Sequence, residues 1–400
     1  MLRTTPEDTF IRIFLVFLRL GLTSFGGPIA HIGYFREEFV NKQKWISERA
    51  YADTVALCQF LPGPASSQVG MAVGLFRGGY KGVAAAWLGF TMPSAIIMAL
   101  FALGVTTYND LIPVGALDGL KIVAVAVVAQ AIWGMGTGLC NTKTKATIMI
   151  IAAIICLLIP GVTGQLSVIF LAGLAGLYLF KQTIEPSDDS PNVTISKAMG
   201  IVWLLVFFSL LFGLPVAADL MDNPFVSAYD SFYRAGSLVF GGGHVVLPLL
   251  EAEVVPVGLV DKDTFLAGYG AAQAVPGPLF TFGAFLGSAM DSLGGWWLGG
   301  LICLVAIFTP SFLLMAGALP FWMQLRENSA MQAALAGVNA GVVGILIAAL
   351  YNPVWSSAIF DEKDLALALL ALAALMYWKL PPWLVVIAGA LLGTGINAFL

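Results

Sequence analysis

A polytopic α-helical membrane protein built from two homologous halves is the fold class this sequence predicts, and three observations predict it. The composition is that of a lipid-soluble chain: its 400 residues are 59% hydrophobic and only 10% charged, where soluble domains carry about 25% charged residues. Continuous apolar runs recur along the whole length. Motifs found in residues 1–190 also return, in the same order, in residues 198–400.

The apolar runs are Gly82 to Leu103, Ile122 to Leu139, Thr147 to Phe180, Ala198 to Ala218, Trp296 to Leu319, Leu335 to Leu350, Leu365 to Tyr377 and Trp383 to Leu400. A bilayer core takes about 20 apolar residues per helix. Only helices and closed barrels satisfy their backbone polar groups there. These runs are continuous rather than alternating, so they read as helices. The N-terminal MLRTTPEDTFIRIFLVFLRLGL has no small-residue cleavage site after it, and no cleavable signal peptide is expected. Cys58, Cys140, Cys156 and Cys303 stand singly and read as buried small hydrophobes. The net charge of −4 gives no reason to expect nucleic acid as a partner.

The repeat rests on five anchors. Arg19-x-Gly21 followed by Phe25-Gly26-Gly27 matches Arg234-x-Gly236 followed by Phe240-Gly241-Gly242, an offset of 234 − 19 = 215. Glu38-x-Val40 matches Glu253-x-Val255 at the same offset. Gln59-x-x-Pro62-Gly63-Pro64 matches Gln273-x-x-Pro276-Gly277-Pro278 at 273 − 59 = 214. Pro93-Ser94 matches Pro310-Ser311, and Gly119-x-Lys121 matches Gly337-x-Asn339. The expected division is 1–190 and 198–400, joined by a polar linker over 181–197.

Matched loops differ in charge, and this sets the expected orientation. Arg36 to Lys81 holds six basic residues, whereas the matched Glu251 to Trp296 holds one, Lys262. The bias reverses weakly at Val105 to Asp118, which has no basic residue where its counterpart has Arg326. It flips back at Asn141 to Ala146, which carries Lys143 and Lys145 where the counterpart is the acidic DEKD of Asp361 to Asp364. Cytoplasmic loops collect Lys and Arg, so the halves are expected to be inverted. Inverted repeats commonly build secondary transporters with a midplane site at the repeat interface.

The FGG and PGP motifs interrupt apolar segments at matched places in both halves, which is a pointer to a transporter site. Proline removes a donor and clashes with the preceding turn, and each interior glycine weakens a helix by about 1 kcal/mol. The next half-helix then opens with free N–H groups and the positive end of its dipole, a ready anion site. The candidate substrate residues are therefore Phe25, Gly26, Gly27, Gln59, Pro62, Gly63 and Pro64, with Phe240, Gly241, Gly242, Gly243, His244, Gln273, Pro276, Gly277 and Pro278. Ordinary helix kinks and close-packing glycines are the plainer alternative.

Charges within apolar segments are few. Arg19 and Arg234 stand six residues before their FGG, where a guanidinium suits bidentate oxyanion binding; snorkelling to an interface, or pairing with Glu38 and Glu253, is the other reading. Lys121 and Asp118 stand three apart, a spacing that lets them neutralise each other. His31, Glu38, His244 and Glu253 are the candidates for proton coupling. The histidines are not matched, and Pro28 stands where the second half has Gly243. Mid-span carboxylates, which a cation site needs, are almost lacking.

FGGPIAH with an acidic residue downstream, FGGGHVVLPLLEAEVV, and the paired QFLPGP and QAVPGP resemble the chromate ion transporter family in its two-domain form, over essentially the whole chain. The resemblance implies a bacterial plasma-membrane carrier. It would export chromate, a tetrahedral divalent oxyanion isosteric with sulfate, and confer chromate resistance. The partners so implied are that oxyanion and the lipid bilayer; a homodimer is one assembly compatible with them. Two rivals stay open, a sulfate or related oxyanion uptake carrier and an anion channel. An enzyme is not expected, since no HExxH, GxSxG or paired intramembrane aspartates occur; no cofactor and no metal is called for.

Overall fold

The computed structural model describes residues 10–25, 27–107, 113–180, 195–240, 243–294, 296–326 and 328–399, and every regular element among them is helical. The expected linker falls largely outside the described residues, and so do Gly26, Gly241 and Gly242.

The first half opens with a hairpin of α1 (Phe10–Thr23) and α2 (Gly27–Arg36), the latter prolonged by a π-helical turn, Glu37–Lys42. Ile13, Phe17 and Leu20 make the buried stripe of α1 at helical spacing, and Phe17 meets Phe35 and Phe39 with ring centroids 5.9 and 4.9 Å apart. A second hairpin follows: α3 (Glu48–Phe60), capped by the Ser47 side chain on the Ala50 N–H, turns at Leu61–Pro64 into α4 (Ala65–Thr107). Helix α4 folds back on itself where Gly78 and Gly79 leave helical geometry, giving two limbs. Then come α5 (Val114–Leu139), α6 (Lys143–Leu158) and α7 (Val162–Leu179). The run Thr147 to Phe180, expected as one apolar stretch, divides into two helices because Pro160 and Gly161 (φ +86°) stop α6.

Helix α8 (Lys197–Met221) precedes the second repeat and presents most of its surface outward. The second half repeats the pattern with α9 (Pro224–Leu238), α10 (Val246–Val254), α11 (Lys262–Ala272), α12 (Phe282–Ala289), α13 (Trp296–Ala318), the short α14 (Trp322–Arg326), α15 (Ser329–Ala349), α16 (Glu362–Met376) and α17 (Pro382–Phe399).

Two length classes result. Among the described residues, six helices or limbs are long and apolar enough to cross a bilayer. The hairpin limbs are shorter: α1 has 14 residues and α9 has 15. At 1.5 Å per residue they reach about 21 Å, short of the ~30 Å hydrocarbon thickness. The exterior is apolar, with Phe170, Tyr178, Leu205, Phe212, Leu369 and Leu391 all exposed. A water-soluble protein does not carry so continuous an apolar surface. This is a multi-pass membrane protein of two repeated halves.

The halves are interlocked. Helix α15 packs on α6 and α7, while α5 packs on α16 and α17, so each half supplies the partner of the other's last helices. Small residues permit the approach: a Cβ added at Gly337 would run into the Ala172 carbonyl, and one at Gly119 into the Gly389 carbonyl.

Candidate functional site

The four interruptions meet. The Gly63 N–H donates to the Val239 carbonyl at 2.7 Å, and the Gly277 N–H donates to the Ser24 carbonyl at 2.9 Å. The PGP turn of each half is thus bonded to the residue just before the FGG of the other half, by the same bond at equivalent positions. Both glycines take positive φ, +117° at Gly63 and +96° at Gly277, which L side chains adopt at a cost. Both also leave room for a serine from the opposite half: a Cβ on Gly63 would stand 2.7 Å from Ser311 Oγ, and one on Gly277 2.9 Å from Ser94 Oγ. The two FGG turns touch as well, since a Cβ on Gly243 would lie 3.6 Å from Pro28 Cγ.

Helix N-termini converge on this crossing. Helix α2 begins at Gly27, α4 at Ala65, and short 3-10 turns at Gly243 and Leu279 lead into α10 and α12. Each presents backbone donors and a positive dipole end toward the centre.

Around the crossing lie polar groups that make no hydrogen bond among the described residues. They are Ser24 Oγ, Ser67 Oγ, Gln68 Oε1, Thr91 Oγ1, Gln273 Nε2 and Ser311 Oγ, all enclosed. Buried polar atoms are normally satisfied, so several orphans among the described residues make this crossing the candidate place for a polar guest. Motif reading missed Ser24, Ser66, Ser67, Gln68, Thr91, Ser94 and Ser311 as site residues. One signal lay in the repeat itself: Ser66 and Gln68 stand where the second half has Phe280 and Phe282, a polar-for-aromatic exchange at offset 280 − 66 = 214. The lining is therefore one-sided.

The histidines, unmatched in sequence, find the same kind of partner in different places. His31 Nε2 lies 3.1 Å from the Ser24 carbonyl, which only accepts, so Nε2 carries the proton and Nδ1 faces Ser66 Oγ at 3.3 Å. His244 Nδ1 is hydrogen-bonded to Tyr269 Oη at 2.8 Å. Each ring is tied to a hydroxyl of the PGP hairpin in its own half.

The arginines are ion-paired. Arg19 is ion-paired with Glu38 across the α1–α2 hairpin, and Arg234 with Glu253 at 2.9 Å and Asp230 at 2.9 Å. The structure thus places both guanidiniums on carboxylates, the second of the two readings open from sequence. Lys121 holds Asp118 at 2.8 Å as the spacing suggested, and also Asp263 of α11 at 3.3 Å. Phe25 packs against Trp383 at 6.0 Å and Phe240 against a core cluster drawn from both halves. The Pro62 carbonyl accepts from Gln68 Nε2 at 2.8 Å, and the Pro278 carbonyl from Thr281 Oγ1 at 2.9 Å; Pro64 is buried and Pro276 half-buried. The two matched glutamines separate: Gln59 is exposed in a cleft and the Gln273 amide nitrogen is enclosed.

Comparison with known proteins gives this geometry a family. Relatives include an uncharacterized transporter of Methanocaldococcus jannaschii, 28% identical over 84% of this chain and 83% of its own. A chromate transport protein of Pseudomonas aeruginosa is 27% identical over 85% of this chain and 80% of its own. Another, from Cupriavidus metallidurans, is 26% identical over 97% and 93%. No solved structure matches. The family model described as chromate transporter matches residues 11–177 and again 226–394, so this chain, a membrane transporter rather than an enzyme, belongs to the chromate transporter family.

Proposed function

We propose that the protein is a secondary active carrier of tetrahedral oxyanions, with chromate efflux across a bacterial plasma membrane as its activity, and that the anion binds where the FGG and PGP turns cross. The observation that carries this reading is the convergence of four helix N-termini on a crossing lined by buried hydroxyl and amide atoms that make no hydrogen bond among the described residues. Helix termini of about +0.5 charge each suit a divalent anion. The nearby buried carboxylates favour the same sign, because Glu38, Asp230 and Glu253 are already committed to arginines. The names of the relatives support chromate over other oxyanions.

The halves, 1–190 and 198–400, are inverted on this reading. If each short hairpin returns to its own side, and if α6, at 16 residues not one of the six long apolar helices, also crosses, the second limb of α4, then α5, α6, α7 and α8 make five crossings before α9 begins. An odd number starts the second half on the opposite face. The loop charges favour the same arrangement, with Arg36 to Lys81 on the cytoplasmic side. Such a molecule carries its cargo by alternating access around a fixed central site.

The test is flux in reconstituted vesicles with controlled pH and anion gradients. Saturable chromate movement, competed by sulfate and accelerated by anion on the far side, is the expected result. Sulfate movement without chromate movement favours the uptake carrier, and non-saturating flux favours the channel.

A further inference from the structure

The repeat makes it possible to compare one passage in two states within a single molecule. Between α3 and α15 lies a cleft of 340 Å³, lined by Ala56, Gln59, Gln332, Asn339 and Lys145 among others, and its lining includes Phe60, two residues before Pro62. Its repeat-related counterpart lies between α11 and α5: Ala56 corresponds to Gly270 (270 − 56 = 214), and Asn339 to Lys121 (339 − 121 = 218). That counterpart is shut. Gly270 packs so closely on α5 that an added Cβ would run into the Leu120 carbonyl. Lys121, nine-tenths buried, spans to Asp263 on α11. Gln59 is exposed, whereas the amide nitrogen of its equivalent, Gln273, is enclosed.

We propose that the α3–α15 cleft is the mouth through which the oxyanion reaches the crossing, and that the α5–α11 contact is the equivalent mouth of the opposite face, closed and latched by Lys121 and Asp263. The proposal rests on the oxyanion-carrier reading. Chemistry in the cleft suits an anion: among the described residues one ammonium and three carboxamides face it, and no carboxylate does. The latch is built to release. When α11 leaves, Lys121 keeps Asp118 of its own helix at 2.8 Å, so opening does not strand a buried cation. The open mouth has no such latch, because Asn339 and Ala336 stand where Lys121 and Asp118 stand in the first half. This difference biases the molecule toward the state with the α3–α15 side open, on the face that carries the basic loops.

Cysteines introduced one at a time test it, in full-length protein whose Cys58, Cys140, Cys156 and Cys303 are replaced by alanine. Gln59→Cys should react with an impermeant thiol reagent only from the basic-loop face, and chromate at saturating concentration should slow the reaction. Gln273→Cys should be protected, and adding Asp263→Asn should make it react about tenfold faster, from the opposite face, as the population shifts. Reaction of Gln59→Cys from both faces, or no response of Gln273→Cys to Asp263→Asn, overturns the proposal. If the cysteine-free protein does not fold, Lys145→Gln in the native chain replaces it: a several-fold rise in the KM for chromate supports an electrostatic mouth, and an unchanged KM overturns it. Chromate-insensitive labelling beside saturable chromate flux defeats the mouth alone. Absence of chromate and sulfate flux in the native protein defeats the carrier reading instead.

Discussion

Ser67 and Ser311 make no hydrogen bond through their hydroxyls among the described residues, while Arg234 holds two buried carboxylates. These two kinds of residue should fail differently. Ser67→Ala and Ser311→Ala remove groups the fold does not use, so each should raise the KM for chromate and leave the thermal midpoint in detergent unchanged; a lowered midpoint with normal KM would mean the hydroxyls are structural. Arg234→Gln strands Glu253 and Asp230, whose side chains are 10% and 8% exposed, and should lower stability by about 3 kcal/mol. Arg19→Gln should cost less, because Arg19 itself is 59% exposed. If both arginine variants keep full stability but lose chromate binding, the guanidiniums are ligands and not struts. At Gly277, alanine must adopt φ near +96° and meet Ser94, so Gly277→Ala should destabilise by about 1–2 kcal/mol.

At the scale of elements, much was legible in sequence and some was not. The helix breaks at FGG and PGP could be read because Gly and Pro act locally, on the very residues that carry them. The Arg–Glu pairs could be anticipated because both partners recur at one offset. What could not be read is which break touches which. Gly63 bonds to Val239 and Gly277 to Ser24, contacts set by the way the halves interlock, and no local propensity encodes them. The exchange of α7 and α17 between halves has the same origin. Its seam predicts a contrast: Gly337→Leu should unfold or inactivate the protein, because α7 backbone fills the space. Gly213→Ala on α8, where an added Cβ meets nothing within 4 Å, should change neither melting nor transport. Equal damage from both would mean the seam is not what joins the halves.

The whole molecule is a pseudo-symmetric object that is asymmetric where it matters. Backbone bonds at the crossing obey the repeat, whereas the polar lining and the two mouths do not. On the reading proposed here, symmetry places the site equidistant from both faces, and the departures from it give that site one chemistry and one open side. Topology follows from the same account: cysteines at Lys42 and Lys262 should label from opposite faces of the membrane, and labelling from one face would exclude inversion. The central claim, that the crossing is an oxyanion site in a carrier, is tested most directly by chromate flux into vesicles of purified protein, with and without sulfate. Saturable chromate uptake, inhibited by sulfate and stimulated by anion inside the vesicle, is the result predicted; uptake no greater than in protein-free vesicles, or linear with chromate concentration, would contradict it.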